Sequence, residues 1–499
     1  MRLAITPKLK RLICLVLLPQ TAYYGNCPMV LNLSPLQLDF ASGIIMLMVI
    51  LHSFNTPNRP ILKTSVVIVG GGLAGLACAI RLEKAGIPYL LIEASNKLGG
   101  RVQTTHHAEG FLLDHGFQAL NTAYEEAKAV LDFDALDLQP FYPGAVIRHN
   151  GTFNKVGDPQ RDRGMYLFAL YSPIGSLKDK LLTLSLKNKL KDLSEKKIYR
   201  LPEETTLAFL QRFGFSQGYI DAFFRPFYGG AFLEDALSTS VRKFAYTFKT
   251  FANGDVCIPK NGMHAIVDQL ASNLNPTHIM LNQGLIHLSP PSSSPNSTQP
   301  RTLTLSSGQQ IEAQHVVLAM SLPQVASVLG QPCPINYNAT WTLYFSCKDK
   351  PPLSVREPLL VLNAEGSGVI QHLCFLTEVS PSYAPEEGNL CSVTLKPSLL
   401  NEPMSEAEAV LQTKANLKQW FGPVTDRWQF IQGFQLHQAI PSETVLFGDH
   451  QAATVETVSA WQQQWQVDLA NDAMDSASIN GALRAGRVVA DRLIKASKL

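Results

Sequence analysis

The sequence predicts an α/β fold in which a discontinuous domain of parallel strands is interrupted by a mixed α+β domain. Three observations carry this reading. Ser65-Val-Val-Ile-Val69 is a short, wholly apolar run, the pattern of a strand buried on both faces, and it opens onto a glycine-rich turn and a helical stretch. A second apolar run, Tyr89-Leu-Leu-Ile92, completes a strand–helix–strand unit. A third buried strand, His315–Ala319, comes only after a long stretch without that alternation, so the first domain must be assembled from separated pieces of chain. At 499 residues the chain is also too long for one compact core.

The first 63 residues stand apart from this pattern. Arg2, Lys8, Lys10 and Arg11 precede Leu12-Ile-Cys-Leu-Val-Leu-Leu18, and a second apolar block, Ile44–Leu51, comes before Pro57-Asn-Arg-Pro60. Both blocks fall short of the ~20 residues a spanning helix needs. A cationic start before a short apolar core suits a signal or organelle-targeting segment, for plastid or mitochondrion, or a membrane-associated location.

Residues 64–125 hold the motif that points to a ligand. In Gly70-Gly71-Gly72-Leu73-Ala74-Gly75, Gly70 can take the tight turn and Gly72 lets the backbone approach a diphosphate. Gly75 lets helix and strand pack closely, and the turn through Leu73 and Ala74 aims the helix N-terminus at negative charge. The helical stretch, Leu76–Ala85, is closed by Gly86. Glu93, followed by Ala94, ends the second strand 18 residues after Gly75, where a carboxylate can accept from both ribose hydroxyls and would repel a 2′-phosphate. Six residues further on, Gly99-Gly100-Arg101 adds glycine amides and a guanidinium that can meet phosphate. A nicotinamide dinucleotide has no need of that second pair, whereas the longer FAD passes this loop. The prediction is therefore a Rossmann-like FAD-binding domain.

With these residues the chain resembles the flavin amine oxidase, phytoene desaturase and protoporphyrinogen oxidase group, nearest its phytoene-desaturase-like branch. The resemblance runs through Glu93–Arg101, Phe111–Gln118, Phe223–Gly230, Pro259–Met263 and Val316–Ala319 to Gly448-Asp449-His450 and Ser478-Ile-Asn-Gly-Ala482, covering roughly residues 64–499. It implies that Asp449, with Gly448, contacts the ribityl chain, and that backbone around Ser478, Ile479 and Asn480 lies near the flavin ring. One departure accompanies it. Removing residues 451–474 would make the Gly448-Asp449 motif continuous with Asp475–Gly481, so that segment is expected to be a surface insertion.

Between the flavin-binding stretches (64–125, 256–335 and 437–499), residues 126–255 read as mostly helical and 336–436 as the sheet of a substrate domain. Strands are expected at Thr342–Phe345 and Leu390–Leu395, with a helix from Ser405 to Trp420. Leu177–Lys197 is amphipathic: leucines at 177, 181, 184, 186, 190 and 193 are surrounded by seven lysines. Such a helix suits either a leucine core under a solvated face or peripheral contact with an anionic membrane.

A net charge of +2 and 16% charged residues give no field that would favour nucleic acid as partner. The eight cysteines lack CxxC spacing, so neither a zinc site nor a disulfide framework is expected, and Cys78 reads as a small core residue. No triad, carboxylate pair or metal cluster stands out. His106, His107 and His115 read as structural, Arg225, Tyr228 and Lys249 as unassigned, and Phe223, Phe224, Phe227, Phe244 and Phe248 as core or the wall of an apolar pocket. No catalytic acid or base is assigned. The expected function is FAD-dependent dehydrogenation of a hydrophobic small molecule, carotenoid-like or porphyrinogen-like in preference to an amine, with oxygen or quinone as electron acceptor. A flavin-dependent isomerase and a flavin-less binding protein are the alternatives.

Overall fold

The computed structural model describes residues 60–161, 171–291, 299–349, 352, 355–401, 403–443 and 450–497. The expected leader, Gly448 and Asp449 lie outside these residues. Among them no helix is long and apolar enough to cross a membrane.

Five strands form a parallel sheet in the order Ile279–Met280, Tyr89–Ile92, Leu62–Val69, Gln310–Leu318 and Asp468–Leu469. Arg301–Leu305 and Leu285–Leu288 extend it antiparallel from the first half of Gln310–Leu318. The register brings Met280, Ile92, Val69, Leu318 and Leu469 to one level at the carboxyl edge. Ligands of open α/β sheets bind at that edge.

Helix Leu73–Lys84 lies against the C-terminal helix Ile479–Ala496, and Gly486 sets their distance. A Cβ there would stand 2.0 Å from the Ala74 carbonyl oxygen. Cys78 is fully buried at this crossing, and burial pushes its thiol pKa up to about 12, as suits an unreactive core residue.

The segment expected as a surface insertion is instead part of this domain. Helix His450–Trp465 buries Val458 and Trp461 in the cluster that holds Val67, Val69 and Leu318, and strand Asp468–Leu469 then joins the parallel sheet. Those two apolar residues seven and four positions before Trp465 are what makes the segment core rather than surface.

A second sheet runs in the order Gln429–Pro441, Tyr337–Cys347, Asn389–Leu395, Ile370–Phe375, Leu360–Asn363, Gly144–His149 and Thr152–Gly157. Its last two strands come from the region expected to be mostly helical. They form a hairpin whose turn, Asn150-Gly151, has both residues at positive φ (49° and 74°), the geometry that the Asn-Gly pair favours. Among the other described residues of that region, short strand Leu138–Pro140 pairs with Val256–Pro259, and helices Leu177–Lys191, Thr206–Phe213, Arg225–Phe232 and Val241–Asn253 pack around a phenylalanine- and tyrosine-rich core. Helix Glu406–Phe421, capped by Ser405, covers the sheet.

Candidate active site

The glycine turn sits at the carboxyl edge. Gly70 has φ +108°, and a Cβ on Gly75 would stand 2.0 Å from the Gly70 carbonyl oxygen, so both positions require glycine. Gly72 differs. Its φ is −74°, open to any residue, and a Cβ there would meet nothing within 4 Å. Its missing side chain answers to no protein neighbour, which is what a cradle for a ligand requires. Leu73 and Ala74 are buried behind it in the first helical turn.

The second glycine pair lies on the first. Gly99 donates to the Gly71 carbonyl at 2.8 Å, and Gly72 and Gly99 form a bridge. Glu93 accepts from the Gly71 amide at 2.7 Å through one oxygen and from the Ser95 amide at 2.9 Å through the other. A carboxylate offers about four lone-pair sites, so capacity for ribose hydroxyls remains. Ala94 beside it is exposed, and Gly100 is exposed.

Arg101 reaches across the edge. Its guanidinium donates to Asp472 at 2.7 Å and to the Ala439 carbonyl at 2.8 Å. Asp472 is 5% exposed and lies three residues past Leu469, the end of the strand, where it meets Arg101 of the second glycine loop. Sequence reasoning missed this residue. The signal was present: Asn471-Asp472 runs without interruption into Asp475–Gly481, and no deletion is needed to join them. Asn471 is 4% exposed, and both atoms of its carboxamide lack a partner. Buried polar groups are rarely left so. The open face of Gly72 and the unmet amide of Asn471 both suit a bound dinucleotide.

Ser478 caps the C-terminal helix, its hydroxyl accepting from the Gly481 amide at 3.0 Å. Ile479 is half-buried, and Asn480 is engaged by Tyr246 at 3.1 Å and by the Glu126 amide at 2.9 Å. Lys243 steadies the approach to this helix, donating to the Ala477 carbonyl at 3.0 Å and pairing with Glu443. His115 bonds Thr105 at 2.8 Å and stacks on Phe434, and burial holds its pKa at about 4, a structural imidazole. Arg225 is tied to Asp221 and to the Asp235 carbonyl.

The helical region and the second sheet line a cavity of about 600 Å³, and Ile440 in its wall directly follows Ala439, whose carbonyl Arg101 bonds at the edge. Phe117, Phe141, Phe223, Phe227 and Phe248 line it, whereas Phe224 and Phe244 lie in the core behind. Lys180, Leu184 and Lys187 of helix Leu177–Lys191 border it as well. An apolar cavity next to a dinucleotide site is the arrangement of a two-domain redox enzyme.

Comparison with known proteins agrees. A family described as flavin containing amine oxidoreductase matches residues 73–494, and the chain belongs to it. FAD is accordingly its cofactor and oxidoreduction its class of chemistry. A phytoene desaturase (lycopene-forming) of Paracoccus sp. (strain N81106 / MBIC 01143) is 51% identical over 59 residues, 12% of this chain and 11% of that protein. Protoporphyrinogen oxidase 2, chloroplastic/mitochondrial, of Arabidopsis thaliana is 25% identical over 182 residues, 36% of this chain and 34% of that one. The chain thus matches between about a tenth and a third of these relatives' length. Wild-type putrescine oxidase bound to putrescine shares the fold, with a TM-score of 0.64 at 17% identity over 87% of this chain and 100% of that one.

Proposed function

We propose that the protein removes hydrogen from a hydrophobic small molecule, carotenoid-like or porphyrinogen-like, and passes the electrons to oxygen or a quinone. The observation that carries this reading is the phenylalanine-lined cavity beside the carboxyl edge. FAD supplies hydride acceptance. The chain's residues hold it, orient the substrate and exclude water. Gly70, Gly72, Leu73, Ala74, Gly75, Gly99 and Gly100 are assigned to the diphosphate and Glu93 to the adenosine ribose. Asp472 takes the ribityl role expected of Asp449, with Arg101 positioning it. The backbone at Ser478, Ile479 and Asn480 is assigned to the flavin ring.

Purified protein should be yellow, and anaerobic addition of a carotenoid or porphyrinogen should bleach it until oxygen or quinone restores the colour. Bleaching by amines alone would overturn the substrate class, and rearranged product without bleaching would establish an isomerase.

The cavity reaches the surface beside a feature suited to such a substrate. Leu177, Leu181 and Leu184 fall on one face of their helix and are 63%, 60% and 40% exposed, while Leu186 and Leu190 are buried on the opposite face. The two sets of leucines in the sequence are therefore two stripes on opposite faces. Lys178 and Lys189 are exposed on one side of the outer stripe, where they can meet an anionic bilayer, whereas Lys180 and Lys187 on the other side are engaged by the Ser172 carbonyl and by Asp158. Changing all three exposed leucines to serine should abolish cosedimentation with phosphatidylserine vesicles and leave thermal stability within about 0.5 kcal/mol, as for surface positions. Undiminished cosedimentation would remove this helix from the proposal.

A further inference from the structure

Two polar side chains in the cavity wall have hydrogen-bonding capacity that nothing in the protein uses. His372, on strand Ile370–Phe375, is 4% exposed, and neither ring nitrogen has a partner or lies open to water. Phe117 meets its ring edge-on at 5.1 Å, and Gly230 packs so close that a Cβ there would lie 2.9 Å from Nδ1. Burial lowers its pKa to about 4, so at neutral pH it presents one N–H donor and one bare acceptor. Asn121 is 2% exposed. Its carbonyl oxygen accepts from the Ala123 amide at 2.8 Å, and its Nδ2 is left unpaired. Both residues line the same cavity.

Buried polar groups are rarely left unmet, so two of them in one cavity wall call for a third party. We infer that the substrate is an oxygenated lipophile, whose hydroxyl or carbonyl oxygen is held in this cavity by His372 and Asn121, and not a pure hydrocarbon. The inference rests on the reading of the cavity as the substrate site and narrows what enters it. A half-turn of the imidazole about its Cβ–Cγ bond exchanges the places of its nitrogens and carbons, so the ring can adapt to a polar ligand. Asn121, in the wall of the same cavity, holds an unpaired Nδ2 donor for such an oxygen. A hydrocarbon chain would fill the volume and leave both side chains unsatisfied, the penalty by which such sites reject substrates that lack the matching group.

Binding of geranylgeraniol and of the C20 hydrocarbon lacking its hydroxyl can be followed by quenching of the tyrosines around the cavity, a signal independent of flavin. Flavin content is measured separately on the same preparation. The alcohol should bind the wild-type holoprotein at least ~5-fold more tightly than the hydrocarbon, the least that one satisfied buried bond is worth. His372→Phe should erase that preference while keeping hydrocarbon binding and flavin content, and His372→Gln should restore part of it. Equal affinity of the two ligands for wild type, or an unchanged preference in His372→Phe, overturns the inference and leaves the cavity reading in place. Failure of both ligands to bind a flavin-replete protein overturns the cavity reading and this inference with it.

Discussion

Gly72→Val is expected to give a folded, soluble protein that purifies with FAD occupancy below about one-tenth. The backbone at Gly72 lies at φ −74° and ψ −179°, which valine adopts without strain, and a Cβ meets no atom within 4 Å. All of the cost therefore falls on the ligand, whose diphosphate must share that space. Gly75→Val supplies the contrast. There the new carbon would stand 2.0 Å from the Gly70 carbonyl oxygen, and the helix must leave the strand. That variant should fail to accumulate in soluble form. Flavin absorbance against protein absorbance and thermal melts of both proteins separate the outcomes. Stoichiometric flavin in Gly72→Val would remove the glycine turn from the binding site.

Asp472→Leu should have the next largest effect, because it touches both the fold and the cofactor. Leucine leaves the Arg101 guanidinium facing an apolar side chain and unties the glycine loop from the last strand. Breaking a fully buried pair costs about 3–5 kcal/mol, and since Arg101 is 36% exposed and can turn to water, about 2 kcal/mol is expected, read as a lower urea midpoint. Flavin affinity should fall in step, whereas Asp449→Ala should keep its flavin. Loss of flavin at Asp449 and retention at Asp472 would return the ribityl role to the former.

Local chemistry was the legible part of this chain. The turn from Gly70 to Gly75, the acid at 93 and the pair at 99–100 each express a requirement of a few adjacent backbone atoms, so the letters carry it. Asp472 was passed over for the opposite reason: the strand before it, Asp468–Leu469, is too short to be seen as one without its neighbour Val317–Leu318, and the sequence reading of the ribityl contact rests on Gly448-Asp449, outside the described residues. The hairpin at 144–157 had its signal in Asn150-Gly151 and was obscured by the helices after it. The two phases of the leucine repeat at 177–190 were also present in the spacing, but which phase faces the core depends on what packs there. Asn121 and His372 could not have been paired from sequence. They are 251 positions apart (372 − 121), and only the closing of a helical layer over the second sheet sets both in one wall.

Strand Asp468–Leu469 carries a temporal consequence for biosynthesis. The parallel ladder it completes begins at Leu62, so its partners leave the ribosome long before it does. Contacts between such distant segments form late and slowly. Until then the nascent polypeptide shows an uncovered ladder edge at Val317–Leu318, and Arg101 waits for its counter-ion. Assembly of the vitamin-derived cofactor's cradle thus waits on synthesis of residues 468–472, about 400 positions after the turn that opens it.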